Sequence, residues 1–79
     1  MAKSKPTRLT NSIRALRFAH DEMTQAQLAE RIGVTRQTIL AIEQGRYSPS
    51  LEMAFRIARA FDVPLEEVFQ YPGGEGEPR

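Results

Sequence analysis

The stretch Thr24–Arg46, TQAQLAERIGVTRQTILAIEQGR, reads as two short amphipathic helices joined by a tight turn. Thr24 and Gln27 have the T-x-x-Q spacing of a capping box, which marks a helix start. Leu28, Ala29 and Ile32 follow at the spacing of one buried helical face. Gly33 ends this helix, because glycine enters the left-handed conformation at no steric cost. Thr35 caps a second helix two residues later, and Ile39 and Ile42 line its inner side together with Val34 from the turn. The spacing predicts helices over about 25–32 and 36–43, with Gly45 as the C-terminal stop of the second. A turn this short makes the two helices cross at a steep angle.

Outward from this pair, the remaining chain reads as support. Thr10 or Asn11 can cap a first helix that turns Ile13 and Leu16 inward, with Phe18 or Ala19 close by. The polar segment Ala19–Glu22 breaks it. On the other side, Ser50 caps a fourth helix and Glu52 complements its positive end. Leu51, Ala54, Ile57, Ala58 and Phe61 give that helix a core face, while Met53 and Phe55 fall off the stripe. A short fifth helix follows Val63–Pro64, with Pro64 suited to its first turn and Glu66 and Glu67 to its dipole. Leu65, Val68 and Phe69 are its apolar contributions. Arg8-Leu9-Thr10 and Phe69-Gln70-Tyr71 each alternate polar and apolar residues at the two chain ends. They can pair as a two-stranded antiparallel ribbon, but such a ribbon is marginal without packing, so paired and unpaired ends both stay open. The expected organisation is an all-α domain over 9–71, a flexible basic arm over 1–8 and a disordered Gly/Pro/Glu tail over 72–79.

The chain has 79 residues, the size of one small domain. It has no cysteine, so neither a disulfide framework nor a thiolate metal site is available, which suits a reducing cytoplasm. No apolar run approaches the roughly 20 residues of a membrane span. The basic start MAKSKPTR lacks the apolar segment of a secretory signal. Net charge is only +1, but its distribution is uneven. Residues 1–46 carry eight basic and four acidic side chains, whereas residues 47–79 carry three basic and six acidic. The positive half contains the second helix of the pair. His20 is the one histidine, with no partner at metal-ligand spacing, so a structural or solvated role is expected and a metal site is not. With no acid–base constellation beyond exposed glutamate pairs, neither enzymatic activity nor a cofactor is expected.

The second helix of the pair carries chemistry of its own. Arg36, Gln37 and Thr38 crowd its N-terminal end, opposite Ile39 and Ile42, with no packing reason for any of them. Arginine bridges the two major-groove acceptors of guanine, and glutamine pairs similarly with adenine. Thr38 reaches a phosphate or a base edge, and Ala41, one turn on, suits a thymine methyl. Gln25, at the start of the preceding helix, is placed to bond a phosphate. Gln44, Arg46 and Tyr47 flank the far side and would hold the other backbone, and Thr35 is a further phosphate candidate. Taken singly, each is explained as solvation of an exposed helix. Taken as a set around a glycine-turned helix pair, they point to DNA.

The pieces IRALR, MTQAQLAERIGVTRQTILAIEQGR, YSPSLEMAFRIARAF and VPLEEVF resemble the Cro/repressor-type helix-turn-helix family, also called the xenobiotic-response-element family. The resemblance runs from about Ile13 to Phe69 and is greatest to the shortest, single-domain members. It implies a five-helix domain of the lambda-repressor type that binds operator double-stranded DNA as a homodimer. It implies base contacts from Arg36 and Gln37, with Thr38 and Ala41 beside them, and phosphate contacts from Gln25, Gln44 and Arg46. It also implies a partly buried ion pair between Arg17 of the first helix and Glu43 near the end of the reading helix. The sequence departs from the common pattern at His20–Glu22, where many relatives place a glycine. In the shortest relatives the terminal strands pair, which adds to the hint of a ribbon.

The function expected from these readings is that of a sequence-specific transcriptional regulator, with repression the expected direction. Tyr47, Pro49, Phe55 and Leu65 are the exposed apolar candidates for a dimer interface. The alternative is an antitoxin-like or accessory protein that binds a protein partner and autoregulates through DNA. Against it, the tail after Tyr71 is short and lacks apolar anchors.

Overall fold

The computed structural model describes residues 7–72. Five helices and one two-stranded ribbon follow in the order β1 (Thr10–Asn11), α1 (Ile13–Ala19), α2 (Gln25–Ile32), α3 (Arg36–Glu43), α4 (Leu51–Phe61), α5 (Leu65–Val68) and β2 (Phe69–Gln70). The expected arm and tail fall, but for Thr7, Arg8 and Pro72, outside the described residues.

The helix pair forms where its caps demand. Thr24 Oγ1 accepts the Gln27 N–H at 3.0 Å, and the Gln27 side chain accepts the Thr24 N–H at 2.8 Å, so the capping box is complete. Gly33 closes α2 with φ +77°, and its N–H bonds back to Ala29. Thr35 caps α3 by accepting the Thr38 N–H, and Gly45, at φ +73°, lies just beyond the C-cap Gln44. Ser50 caps α4 by accepting the Met53 N–H. Pro64 stands one position earlier than expected, as the N-cap of α5 rather than in its first turn.

The core is a single cluster. Ile13 from α1, Leu28, Ala29 and Ile32 from α2, and Ile39 and Ile42 from α3 meet Ile57, Ala58 and Phe61 of α4 and Val68 of α5. Each fully buried large apolar side chain contributes about 1.5–3 kcal/mol of transfer free energy. Met23, in the loop before α2, is also buried there, although no helical period marks it. Met53 and Val34 are half-buried against the same cluster.

Four expectations need correction. Leu51 is not a core residue. It sits in the first turn of α4, at the edge of the apolar stripe, and is 67% exposed. On α1, neither Phe18 nor Ala19 turns inward; the inward position is taken by Arg17, because a charged partner waits for it. The N-cap of α1 is Ser12 rather than Thr10 or Asn11, with no side-chain bond of its own; Asn11 Oδ1 instead accepts the Ile13 N–H at 3.1 Å. The ribbon does form, antiparallel, but its first strand runs one residue beyond the expected stretch, to Asn11, while the second keeps Phe69–Gln70 of the expected three, with Thr10 opposite Gln70 and Asn11 opposite Phe69. Packing supplies what so short a ribbon lacks: Ser12 N–H donates to the Val68 carbonyl at 2.8 Å, and Asn11 Nδ2 donates to the Ile42 carbonyl at 3.0 Å. The chain ends are therefore tied to the last turn of α3.

Candidate nucleic-acid interface

Residues three and four apart share a helical face, which divides α3 into stripes of different surroundings. Ile39 and Ile42 point into the core. Arg36, Leu40 and Glu43 line an open groove of about 790 Å³. Gln37 and Ala41 point away from both, Gln37 exposed and Ala41 half-buried. Thr38 is half-buried on the remaining flank, its hydroxyl 3.1 Å from that of Thr35. Thr35 is exposed, with its hydroxyl oxygen already engaged by the cap. Four of the residues singled out for bases thus share one short helix, but they do not share one environment.

The groove gathers residues from three helices. Arg14, Arg17 and Phe18 come from α1; Thr24, Gln25 and Ala26 from the start of α2; Arg36, Leu40, Glu43 and Gln44 from α3 and its cap. Gln25 and Arg36 line this one groove, and so does Gln44, expected on the far side of α3 from Gln25. Arg46 and Tyr47 lie outside this groove, exposed in the loop after α3. Among the dimer candidates, Tyr47 and Phe55 are 42% and 50% exposed, whereas Pro49 is half-buried and Leu65 packs partly buried against the core. Leu65 thus contributes to the packing that holds α5.

A bonded network forms the groove floor. Arg17 Nε donates to Glu43 Oε2 at 2.7 Å, and its Nη2 donates to Glu43 Oε1 at 3.2 Å, a bidentate pairing. Arg17 Nη1 donates to the Met23 carbonyl at 2.8 Å. Gln25 Nε2 donates to Glu43 Oε1 at 3.2 Å, so its carboxamide is held at the lip of the groove before any ligand arrives. Both charged side chains are only 9% exposed. This network fixes the C-terminal end of α3 against α1 and the start of α2.

Three further residues of the region were not singled out from the sequence. Asn11 was read only as a possible cap, yet it anchors the end of α3. Leu40 was left unassigned, because it lies between the core and the solvent face of its helix. Arg14 carries one usable signal, its place one turn before Phe18: its guanidinium lies 5.5 Å from that ring's centre. His20 is at the end of α1, its Nδ1 3.1 Å from the Leu16 carbonyl oxygen and its ring edge-on to Phe61 at 5.2 Å, a packing environment. No group of histidine and acidic side chains suited to a metal occurs among the described residues. No described helix is long and apolar enough to cross a membrane.

Chemically, this surface offers guanidinium and carboxamide donors along one face of a short helix, beside an open groove walled by α1. The chain is similar to known proteins. The family model described as helix-turn-helix matches residues 13–68. A relative described as an uncharacterized HTH-type transcriptional regulator, from Methanocaldococcus jannaschii, is 46% identical over 67 residues, covering 85% of this chain and all of that protein. The cryptic phage CTXphi transcriptional repressor RstR of Vibrio cholerae is 39% identical over 59 residues, 75% of this chain and 52% of the repressor. Among solved structures, the restriction-modification controller protein C.AhdI from Aeromonas hydrophila superposes with a TM-score of 0.64 at 31% identity, over 70% of this chain and 78% of that one.

Proposed function

Because the chain belongs to the helix-turn-helix family of Cro/repressor type, we propose that it is a transcriptional regulator that reads the major groove of operator DNA with α3, represses rather than activates, and works as a homodimer without catalysis. The observation that carries this reading is the exposed polar face of α3, held by a buried ion pair on a core that leaves it nothing to pack against. Arg36 and Gln37 are assigned to base edges, with Thr38 and Ala41 beside them. Gln25, Thr35, Gln44, Arg46 and Tyr47 are assigned to the sugar–phosphate walls. The Gln25 carboxamide has a second N–H to offer while the first stays on Glu43. Residues 9–71 act as the binding domain, and residues 1–8 and 72–79 as appended segments. A cytoplasmic, nucleoid-associated location follows from such a role.

The antitoxin-like alternative has less behind it: the relative matched along its whole length carries the name of a transcriptional regulator. Two copies are invoked because one short helix reads too few base pairs, and a two-fold pair sets two such helices in successive major grooves, about 34 Å apart.

The test is Arg36→Ala. It should weaken binding to a selected operator by about 1–3 kcal/mol and relax preference at the base pair that Arg36 reads. Selection of bound sequences from a random pool, for both proteins, measures this. Equal weakening on every sequence would remove Arg36 from base recognition.

A further inference from the structure

The outer face of α1 presents an oddity: Phe18, an aromatic residue, is 54% exposed beside a groove rather than in the core. Its ring has two guanidinium neighbours. Arg14 lies 5.5 Å from the ring centre and Arg17 lies 5.9 Å from it. The two arginines differ in what else they touch. Arg17 is spent on Glu43 and the Met23 carbonyl. Arg14 is exposed and has no ion-pair partner among the described residues. It nevertheless lines the same groove as Gln25, Arg36 and Gln44, from the opposite wall.

We propose that Arg14, braced on the ring of Phe18, is a phosphate-binding residue, and that the groove between α1 and α3 seats one strand's sugar–phosphate backbone. This rests on the reading of α3 as the DNA-reading helix. Three features carry it. Of the groove's two acids, Glu43 is already neutralised by Arg17, so Glu22 alone stands against Arg14 and Arg36 and the wall keeps a net positive charge. A guanidinium is the side-chain group best matched to phosphate oxygens, which it meets with two parallel N–H donors. A side chain resting on an aromatic face is restrained before binding, so less freedom is lost when phosphate arrives. Phe18 then acts through Arg14, as a positioning residue, which accounts for an aromatic ring left half in water.

The experiment is the salt dependence of operator binding. Arg14→Gln should weaken binding on every sequence alike and lower the slope of log K against log salt by about one, as loss of one phosphate contact requires. Arg31→Gln removes an equal charge from a second groove to which α3 contributes nothing, and should leave the slope unchanged. Phe18→Leu should weaken binding less than Arg14→Gln, and Phe18→Tyr should restore it, because the tyrosine face still braces the guanidinium. An unchanged slope in Arg14→Gln overturns the proposal, and so does a loss confined to one base pair, which would make Arg14 a base reader. Equal slopes lost in Arg14→Gln and Arg31→Gln would reduce the effect to bulk charge and overturn it as well. If Arg36→Ala still relaxes base preference in the same assays, the reading of α3 stands while that of Arg14 falls.

Discussion

Arg17 occupies a position that an apolar residue would be expected to hold, and the reason is Glu43. Each charge has been taken almost wholly out of water, a cost of several kcal/mol per ion that only a well-formed pair repays. The pair is well formed: two bonds join it, and the remaining valences go to the Met23 carbonyl and the Gln25 amide. Its effect on stability is therefore asymmetric. Arg17→Ala or Glu43→Ala leaves the partner charge buried alone and should cost about 3–5 kcal/mol. The double change Arg17→Met with Glu43→Leu removes both charges and should cost less than either single change. Denaturant midpoints of the three variants measure this, and costs that simply add would show that the two residues do not work as a pair. The ion pair itself was implied only by family resemblance. Nothing in the composition of α1 separates Arg17 from Arg14, since the difference between them lies in a helix 26 residues away.

At the level of elements, what was readable from the chain is what local chemistry decides. The bounds of α2 and α3 follow from Thr24, Gln27, Gly33 and Thr35, each of which acts on backbone within a few residues of itself. The ribbon register and the inward turn of Arg17 in place of Phe18 are set instead by contacts between distant segments, which periodicity cannot register. The α1–α2 connection shows the limit from the other side. Relatives were expected to place a glycine here, and this chain puts Asp21 and Glu22 there, with φ +61° and +55°. A left-handed conformation costs a side-chain-bearing residue about 1–2 kcal/mol, and the cost is accepted because the turn delivers Met23 to the core and its carbonyl to Arg17. Glutamate has less reason than aspartate to adopt it, since short side chains bond locally to the backbone there. Glu22→Gly should therefore stabilise the domain by about 1 kcal/mol, after allowing for the greater freedom of glycine in the unfolded chain. For a domain this small the melting temperature should rise by about 4–8 °C. Calorimetry would show it, and a melting temperature that falls would mean that the Glu22 side chain makes a contact worth more than the strain.

On the scale of the whole molecule, the described residues measure 38 × 28 × 22 Å, so one copy is no longer than about one turn of the double helix. It presents one α3 and can read one half-site. Two copies related by a two-fold axis would double the read sequence, provided that some surface joins them. The exposed large apolar side chains are informative here. Phe18 and Tyr71 sit near Arg14 and Arg8 respectively, but Tyr47, Leu51 and Phe55 have no such neighbour and follow one another along the loop and first turns of α4. Leu51 and Phe55 are four residues apart, on one helical face, and that face is not the one that α4 turns to the core. With Leu65 partly buried in the packing, the surface proposed for self-association contracts to this segment, which begins directly after Arg46. Phe55→Glu should leave the fold intact, because the ring touches solvent more than core, but would bring like charges together across the two-fold axis. The variant should sediment as a monomer at concentrations where the parent protein is a dimer. It should also fill a two-half-site operator in two independent steps, with footprint titrations that no longer coincide for the two halves. If Phe55→Glu keeps the parent's mass and binds both halves together, the two-fold contact lies elsewhere on the molecule.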